Sequence, residues 1–387
     1  MMKQILSVFQ REVRFLIATP LAWFCMVAAP LLTALFFTTF MWQGLPTGMP
    51  IGVVDEDNTS TTRQLLRTLN SMQQTDISAQ YADISEARRA MQRGEIYAFF
   101  YIPRGTTSLA NQQKQPVVSF YTNYSYLVAG SLSMRDMRMM SELASGAAAR
   151  KLLLARGATE QQAMAFLQPI VIETHPIGNP TLNYNVYLSN TLLPGILGIF
   201  IMMMAVFAIG MEIKNGTAGE WLGKAGGNIH VALIGKLLPQ TIIFLLTSAL
   251  MVIWLYGYMA FPCMCGPWVM MGLLSVFVIA SQCLGVFMIC MLPSLRLGLS
   301  FASLWGVLSF SICGMSYPLM AMDAPLQGLA LLFPLRHYFI LYVNSALDGY
   351  PVMNAWPYLL MLAAFCLLPL LCGWWLKSQL LRVKYVP

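Results

Sequence analysis

Six long apolar runs, separated by shorter polar segments, set the pattern of this chain. Each run is about as long as the roughly 20 residues that a helix needs to cross the hydrocarbon core of a bilayer. The runs cover residues 21–42, 187–211, 231–259, 268–292, 297–320 and 356–376. The pattern therefore predicts an α-helical membrane protein with six transmembrane helices.

A segment of mixed polarity, residues 43–186, lies between the first and second runs. Short apolar stretches typical of strands occur at residues 50–55, 96–102, 116–122 and 171–174, and helical patterns occur at 62–69, 81–94 and 127–155. Asn58, Thr59 and Ser60 provide a cap before the first of these helices. We predict a separate α/β domain here, followed by a five-helix transmembrane domain over residues 187–387.

The first 42 residues combine two elements. Residues 3–17 have apolar positions at helical spacing, with Arg11 and Arg14 on the polar side. This pattern predicts an amphipathic helix in the membrane interface, although a simple topogenic leader explains it equally well. The run that follows is too long for a signal peptide and has no small-x-small site before Gln43, so we expect it to remain as the first span.

Composition and charge agree with a membrane protein. The chain is 57% hydrophobic and only 10% charged, against about 25% charged residues in soluble domains. The net charge of +7 does not indicate nucleic-acid binding, because Lys and Arg flank the apolar runs. Segments assigned to the inside hold Lys3, Arg11, Arg14, Lys214, Lys224, Lys236, Arg296, Lys377, Arg382 and Lys384, whereas the short outside loops hold only Arg336. The positive-inside rule therefore predicts both termini in the cytoplasm and residues 43–186 outside. We expect the membrane to be a bacterial inner membrane.

A charged, glycine-rich segment, residues 212–228, joins the second and third runs. Lipid would reject Glu212, Lys214, Glu220 and Lys224, so the segment must emerge on one side of the membrane. Gly216 and Thr217 offer a turn and a helix cap.

This segment resembles the first cytoplasmic loop of the ABC-2 type permeases of ABC exporters. The matching residues are Glu212, Lys214, Gly216, Thr217 and Glu220, followed by Gly235 and Lys236, whereas Asn215 and the glycine-rich run 223–227 depart from the pattern. Residues 87–105 resemble the outside domain of larger members through Ala87, Met91, Gly94, Ile102 and Pro103. The resemblance covers essentially the whole chain. The alternative is an ordinary charged inside loop of a polytopic protein.

The resemblance implies partners and a site. It implies a permease that dimerises with itself or a related permease and recruits ABC ATPase subunits, which bind ATP and Mg²⁺. It also implies that the ATPase is coupled through Glu212, Lys214, Gly216, Thr217, Glu220, Trp221 and Lys224. Drugs, lipids or other amphiphiles are the implied cargo, membrane lipid is a contact, and a periplasmic adaptor protein is a further possible partner.

Residues for bond-making chemistry do not stand out in the sequence. The Gly223-Lys224-Ala225 stretch lacks the spacing and the Ser or Thr of a Walker A loop, and the three His residues form no zinc motif. We therefore expect neither ATP hydrolysis nor a cofactor or metal in this chain. Cys263 and Cys265 flank Met264 and could hold a soft metal, but two ligands without a nearby His make a poor site.

Two further sulfur patterns favour simple packing. Six of the eight Cys residues fall in apolar runs and none lies between residues 43 and 186, so the outside domain has no disulfide framework. A Met-rich helical turn, residues 134–140, contains donors that suit Cu(I). Packing is the simpler explanation, because Met fills irregular gaps in cores.

Two groups of residues are candidates for a transport path. The second and fifth runs hold residues that could line an apolar path at a dimer seam, and close helix packing is the alternative. They are Phe200, Met202, Met203, Met204 and Phe207 in the second run and Ser300, Ser303, Ser309 and Ser311 in the fifth. Phe333, Pro334, Arg336 and His337 loosely match the re-entrant helices that close the outer end of the path in ABC-2 permeases. An interfacial loop with a snorkelling Arg is the alternative for this second group.

The sequence thus predicts the permease subunit of an ATP-driven exporter. A membrane receptor or assembly scaffold, with an outside domain that senses a ligand without transport, is the main alternative. An integral membrane enzyme is disfavoured, because the spans carry no polar cluster at membrane depth.

Overall fold

The computed structural model describes residues 1–112, 114–173 and 175–382. The chain divides into two units, Leu45–His175 and the combination of Met1–Gly44 with Pro176–Pro387. The second boundary differs from the predicted position at residue 186. The reason is that Asn179 and Asn183 hydrogen-bond to each other, while the Asn183 side chain accepts the N–H groups of Asn185 and Val186 at the start of the next helix.

The N-terminal segment forms one helix, α1, and a second helical stretch that has three consecutive parts. Helix α1 (Met2–Ala18) is followed by α2 (Pro20–Trp23), a π-helical turn (Phe24–Ala28) and α3 (Ala29–Phe40). Thr19 has an extended backbone and breaks α1 from α2. Pro20 then starts α2, where its missing N–H costs no helical hydrogen bond. The predicted amphipathic helix and first apolar span are therefore distinct helices.

The unit Leu45–His175 is an α/β domain built on one four-stranded sheet. Its elements are β1 (Met49–Asp55), α4 (Ser60–Asn70), β2 (Thr75–Gln80), α5 (Ile84–Gln92), β3 (Ala98–Ile102), α6 (Thr106–Asn111), β4 (Ser119–Thr122), α7 (Leu127–Ala155) and α8 (Glu160–Leu167). The strand order is β2-β1-β3-β4. Strand β1 is parallel to both neighbours, and β4 is antiparallel to β3.

Apolar side chains cover both faces of this sheet. Ile51 and Phe100 lie in one cluster with Met137 and Met140 of α7, while Phe99 lies in the other cluster. The alternation of Phe99 and Phe100 follows from the two-residue period of a strand. Both methionines are fully buried, which favours packing over copper binding for the Met-rich turn.

Two strands differ from the sequence prediction. Strand β2 was not predicted, because its sequence Thr-Asp-Ile-Ser-Ala-Gln is mostly polar and only alternate side chains are buried. It is a sheet edge, held by pairing with β1 and by the buried Asp136, which accepts the N–H of Gln74 at 3.2 Å. The predicted strand at residues 171–174 was wrong for 171–173, which have no regular structure, and Thr174 lies outside the described residues.

The remaining helices belong to the membrane unit. They are α9 (Tyr184–Asn215), α10 (Ala218–Lys224), α11 (Ile229–Val252, extended by a π-helical segment Ile253–Tyr258), α12 (Pro267–Met291), α13 (Leu295–Ile312), α14 (Ala324–Ala330), α15 (Pro334–Tyr342, extended by π-helical Val343–Leu347), α16 (Trp356–Cys366) and α17 (Leu368–Arg382). Helix α9 lies at the centre and packs against α12 and α13. Gly285 of α12 allows this approach, because an added Cβ would lie 2.7 Å from the Met202 carbonyl oxygen.

Within the described residues, six helical segments are long and apolar enough to cross a membrane. They are Pro20–Phe40, Tyr184–Asn215, Ile229–Tyr258, Pro267–Met291, Leu295–Ile312 and Val352–Arg382. The fifth ends earlier than predicted, because Gly314 at φ 100° interrupts the chain after α13. Helices α14 and α15 form a pair bent by 87°, which would make a seventh crossing if it counted as one span.

We expect the α/β unit to fold alone. It has a core on each face of its sheet, and it contains no Cys. Residues 45–175, expressed separately, should be soluble and unfold in one cooperative transition whose midpoint does not change with reducing agent. Thermal unfolding followed by circular dichroism measures this. A chain without regular structure, or a midpoint that depends on reductant, would contradict the expectation.

Candidate functional site

The charged segment between α9 and α11 is built from helix ends and one short helix. Helix α9 continues to Asn215 and stops at Gly216, whose φ of 68° is a left-handed conformation suited to glycine. Helix α10 follows directly, and Gly226 and Gly227, both at positive φ, reverse the chain. Asn228 then accepts the N–H groups of His230 and Val231 and caps α11. The segment is therefore a compact helical hairpin.

Glu212 lies on the last turn of α9 and is only 5% exposed. Its carboxylate accepts two hydrogen bonds from the Arg11 guanidinium, at 2.6 and 3.0 Å, and one from Lys236 at 2.7 Å. The Thr217 hydroxyl donates a further bond at 2.5 Å. Glu212, one of the residues implied to couple to the ATPase, is therefore bonded within the chain and is not exposed on the surface of the segment.

Lys236 of α11 links Glu212 to a second carboxylate. Its ammonium group lies 2.7 Å from Glu12 of α1, and both side chains are 2% exposed. Gln240 adds a weaker bond to Glu12 at 3.4 Å. Two acids and the two basic groups of Arg11 and Lys236 thus meet in one cluster, which we call the buried ion cluster. Charges removed from water are tolerated only when they are paired in this way.

The cluster affects the protonation of its members on α1. Burial raises the pKa of Glu12 above its ordinary value, and the neighbouring Lys236 opposes that rise. The hydrogen bonds to Glu212 raise the pKa of Arg11, so this guanidinium stays charged. Opposite charge at hydrogen-bond distance favours the ionised forms, whereas burial disfavours them.

Aromatic rings close the cluster on one side. The Lys236 ammonium lies 5.2 Å from the ring centroid of Trp221 and 5.9 Å from that of Phe15. Trp221 is fully buried, so α10 is fixed to α11 through its apolar face. A cation over an aromatic face is attracted by the ring quadrupole, and desolvation strengthens that attraction.

Gly235, the residue before Lys236, lies where α11 comes close to α1. A Cβ added there would lie 2.8 Å from the Val8 Cβ and 3.0 Å from the Ile5 carbonyl oxygen, both on α1. Only glycine lets the two helices approach this closely. The close approach brings Glu12 within reach of Lys236.

Of the other predicted coupling residues, Trp221 is buried and the rest lie on the surface of the segment. Lys214, Gly216, Glu220 and Lys224 are exposed, and Thr217 is half-buried. Glu220 and Lys224 form an ion pair at 3.0 Å along α10. Helix α10 therefore has a buried face, with Ala218, Trp221 and Leu222, and an exposed face, with Gly219, Glu220, Gly223 and Lys224.

The sequence interpretation missed Arg11, Glu12 and Gln240 as members of this site. A signal was present, because Glu12 falls on the same helical face as Val8 and Leu16, which are both buried. An acidic residue in an apolar stripe requires a cationic partner. The partner's position on α11 was not visible without the fold.

The predicted path residues do not converge on one cavity. Met204 is buried in the core, Phe207 faces the Phe15 ring at 6.3 Å, and Phe200 and Ser303 are half-buried. A narrow crevice instead lies between α9, α12, α13 and the start of α15. Its lining residues are Gly195, Gly198, Met202, Phe277, Ser281, Trp305, Ser309, Phe333, Pro334 and Leu335. Of the path residues named from the sequence, Met202 and Ser309 belong to this lining, whereas Phe200, Met204, Phe207 and Ser303 do not.

The predicted gate residues are anchored at this crevice. Phe333 stacks on Trp305 of α13, with ring centroids 4.6 Å apart. Arg336 donates to the Cys313 carbonyl at 3.4 Å, at the C-terminal end of α13, where a cation complements the helix dipole. His337 contacts the Leu331 carbonyl at 2.9 Å across the bend between α14 and α15. Arg336 and His337 are buried, which disfavours a loosely snorkelling loop.

These features define a multi-pass membrane protein whose long apolar helices carry a short, charged helical hairpin. The family model described as ABC-2 family transporter protein matches residues 21–375. The chain therefore belongs to the ABC-2 transporter family. Members are membrane transport components rather than ATPases, and they normally work with an ABC ATPase partner. None of the curated proteins matches the chain.

Removing one charge from the buried ion cluster should destabilise the membrane unit. Lys236→Met leaves Glu12 and Glu212 with too few cations, and breaking a buried ion group costs about 3–5 kcal/mol. Lys224→Met is the matched control, because its exposed pair with Glu220 is worth about 0–1 kcal/mol. The thermal midpoint of the purified protein in detergent measures the difference. Equal midpoints for the two variants would contradict the role of the cluster.

Proposed function

We propose that this chain is the transmembrane permease subunit of an ATP-driven ABC exporter. A separate ABC ATPase binds ATP and Mg²⁺ and supplies the energy, since this family is not itself an ATPase. The observation that carries the proposal is helix α10, which exposes one face and is fixed through the other to the buried ion cluster. This arrangement suits a helix that receives force from a partner, because one face is free for docking and the other face is attached to the membrane unit.

The buried ion cluster supports a mechanism for transmitting that push. The ATPase docks on the exposed face of α10, which includes Gly219, Glu220, Gly223 and Lys224. Glu212 and Thr217 connect α10 to the end of α9, while Lys236 connects α11 to α1 through Glu12. Movement of α10 is therefore passed to three helices at once. Glu212 and Trp221 act as positioning residues within this arrangement, and Lys214 and Gly216 border the docking face.

The proposed topology places both termini and residues 212–228 in the cytoplasm of a bacterial cell. The unit Leu45–His175 then lies outside the inner membrane, where it receives cargo or meets a periplasmic adaptor. The concentration of Lys and Arg around one set of apolar-run ends supports this orientation. Lys384, which contributes to that count, lies outside the described residues.

The transport path is proposed to form between two permease chains. A single chain with six candidate spans offers only a narrow crevice, and Phe333 and Pro334 are among its lining residues. The apolar lining suits a drug-like, lipid or other amphiphilic cargo. The bent pair of α14 and α15 is suited to act as an outer gate, since it is tied to α13 at Trp305 and Cys313.

Blocking the exposed face of α10 should release the ATPase. Added Cβ atoms at Gly219 and Gly223 meet nothing within 4 Å, so Gly219→Trp and Gly223→Trp leave the permease folded while covering that face. Tagged protein purified from native membranes should lose co-purifying ATPase about tenfold or more, the effect of about 1.4 kcal/mol. Mass spectrometry identifies the ATPase by its Walker A sequence.

The matched control is Gly146→Trp on α7, which also meets nothing within 4 Å but lies in the α/β unit. It should retain the ATPase at the wild-type level. Wild-type recovery of the ATPase by both α10 variants would contradict docking at this face. Similar thermal midpoints for all three variants would show that folding is not the cause of any loss.

Topology is tested by labelling with a membrane-impermeant maleimide. Ser125→Cys in the α/β unit and Ser7→Cys on α1 introduce thiols at exposed positions. In intact spheroplasts only Ser125→Cys should gain label above the wild-type background, and Ser7→Cys should gain label only after the membrane is opened. The reverse result would invert the proposed orientation.

A further inference from the structure

The loop between α11 and α12 brings two thiols together. The sulfur atoms of Cys263 and Cys265 lie 3.9 Å apart, and both residues are half-buried. A tight turn fixes this arrangement, since the Gly266 N–H donates to the Cys263 carbonyl at 3.2 Å and Gly266 has a φ of 83°. The Met264 N–H donates to the Ala346 carbonyl at 2.8 Å, which holds the turn against the segment Val343–Leu347.

We propose that Cys263 and Cys265 form a binding site for a soft monovalent metal ion of the Cu(I) and Ag(I) class. Thiolates select such ions over hard cations. Two metal–sulfur bonds of about 2.3 Å span the 3.9 Å separation at a bent angle, so a third position stays open to an external ligand. From the sequence alone the pair is a poor metal site because no His is nearby, but an external ligand in the third position takes the place of a His.

The surroundings exclude other classes of metal. In the part of the chain that the structure describes, no group of three or more His, Cys, Asp or Glu side chains is arranged to hold a metal ion. A tetrahedral Zn²⁺ site or an oxygen-liganded Ca²⁺ or Mg²⁺ site therefore lacks its donors. The Met264 side chain lies against Gly349, so the thiols are the donors in place.

A second close thiol pair is a natural comparison. Cys290 and Cys372 have sulfur atoms 3.2 Å apart, but both are buried within the helical core of the membrane unit. Packing of small apolar residues accounts for that pair. Cys263 and Cys265 differ because they lie in a turn outside the helices and are partly accessible.

Metal binding at this site must release protons. Burial raises the pKa of Cys263, and it raises the pKa of Cys265 to about 12, so both thiols are protonated near neutral pH. The ionisable side chains facing them are the phenols of Tyr256, Tyr338 and Tyr342. Binding breaks two S–H bonds, forms two metal–sulfur bonds and passes two protons to solvent, and the metal keeps its oxidation state.

The test is an anaerobic Cu(I) titration of the reduced, full-length protein against a chromogenic chelator. The wild type should bind one more equivalent per chain than Cys263→Ser/Cys265→Ser. The apparent affinity should rise about 100-fold from pH 6.5 to 7.5, because two protons are released. A tenfold rise would indicate one thiolate and overturn the paired site.

Cys290→Ser/Cys372→Ser is the matched control, and it should keep the full stoichiometry. Equal stoichiometry in the wild type and Cys263→Ser/Cys265→Ser, or an equivalent lost only from the control, would overturn the proposal. X-ray absorption of the copper-loaded wild type gives a readout that needs no variant. Two sulfur neighbours at bonding distance are expected, and a copper shell of nitrogen and oxygen alone would contradict the site.

Discussion

Three buried charges and the half-buried Arg11, at the junction of α1, α9 and α11, constrain this end of the membrane unit. Glu12, Glu212, Arg11 and Lys236 are placed so that each acid contacts a base, and Lys236 contacts both acids. A charge left unpaired in such a place would cost several kcal/mol. The pairing therefore restricts how the backbones of α1, α9 and α11 can be placed relative to one another. Helix α9 must extend past the apolar run to carry Glu212, and Gly235 must let α1 approach α11.

These ion pairs attach the N-terminal helix α1 to the rest of the membrane unit by charge as well as by its apolar face. An amphipathic helix at the membrane surface is held by its apolar face and responds to the lipid around it. Here α1 is also held by charge to the two helices that flank α10. In the proposed mechanism, a displacement of α10 therefore reaches α1 through Glu212 and Lys236, and it reaches α9 and α11 as well. The helix is part of the proposed coupling machinery and not only an anchor.

The opposite part of the membrane unit is held by different interactions. Stacking of Phe333 on Trp305 and the contact of Arg336 with the end of α13 are a ring contact and a charge–dipole contact. Neither is an ion pair between charged side chains. Contacts of this kind are worth less individually than a buried ion cluster, so this region is held less strongly than the end of the unit that carries the cluster.

The sequence by itself determined the class of fold. Apolar length and the location of Lys and Arg predict helices that span a membrane, because bilayer thickness and charge desolvation act on short segments of chain. Nearby residues also determine where α9 ends at Gly216 and where α7 ends at Ala155, since these ends depend on turn residues and helical spacing. Strand β2 was missed because its polar sequence becomes a strand only when β1 supplies the hydrogen bonds. Only the tertiary structure decided that Glu212 is buried, because its partners Arg11 and Lys236 are 201 and 24 residues away along the chain. A charged residue in the sequence shows that burying its side chain would cost free energy. Only the fold decides whether water or another residue compensates that charge.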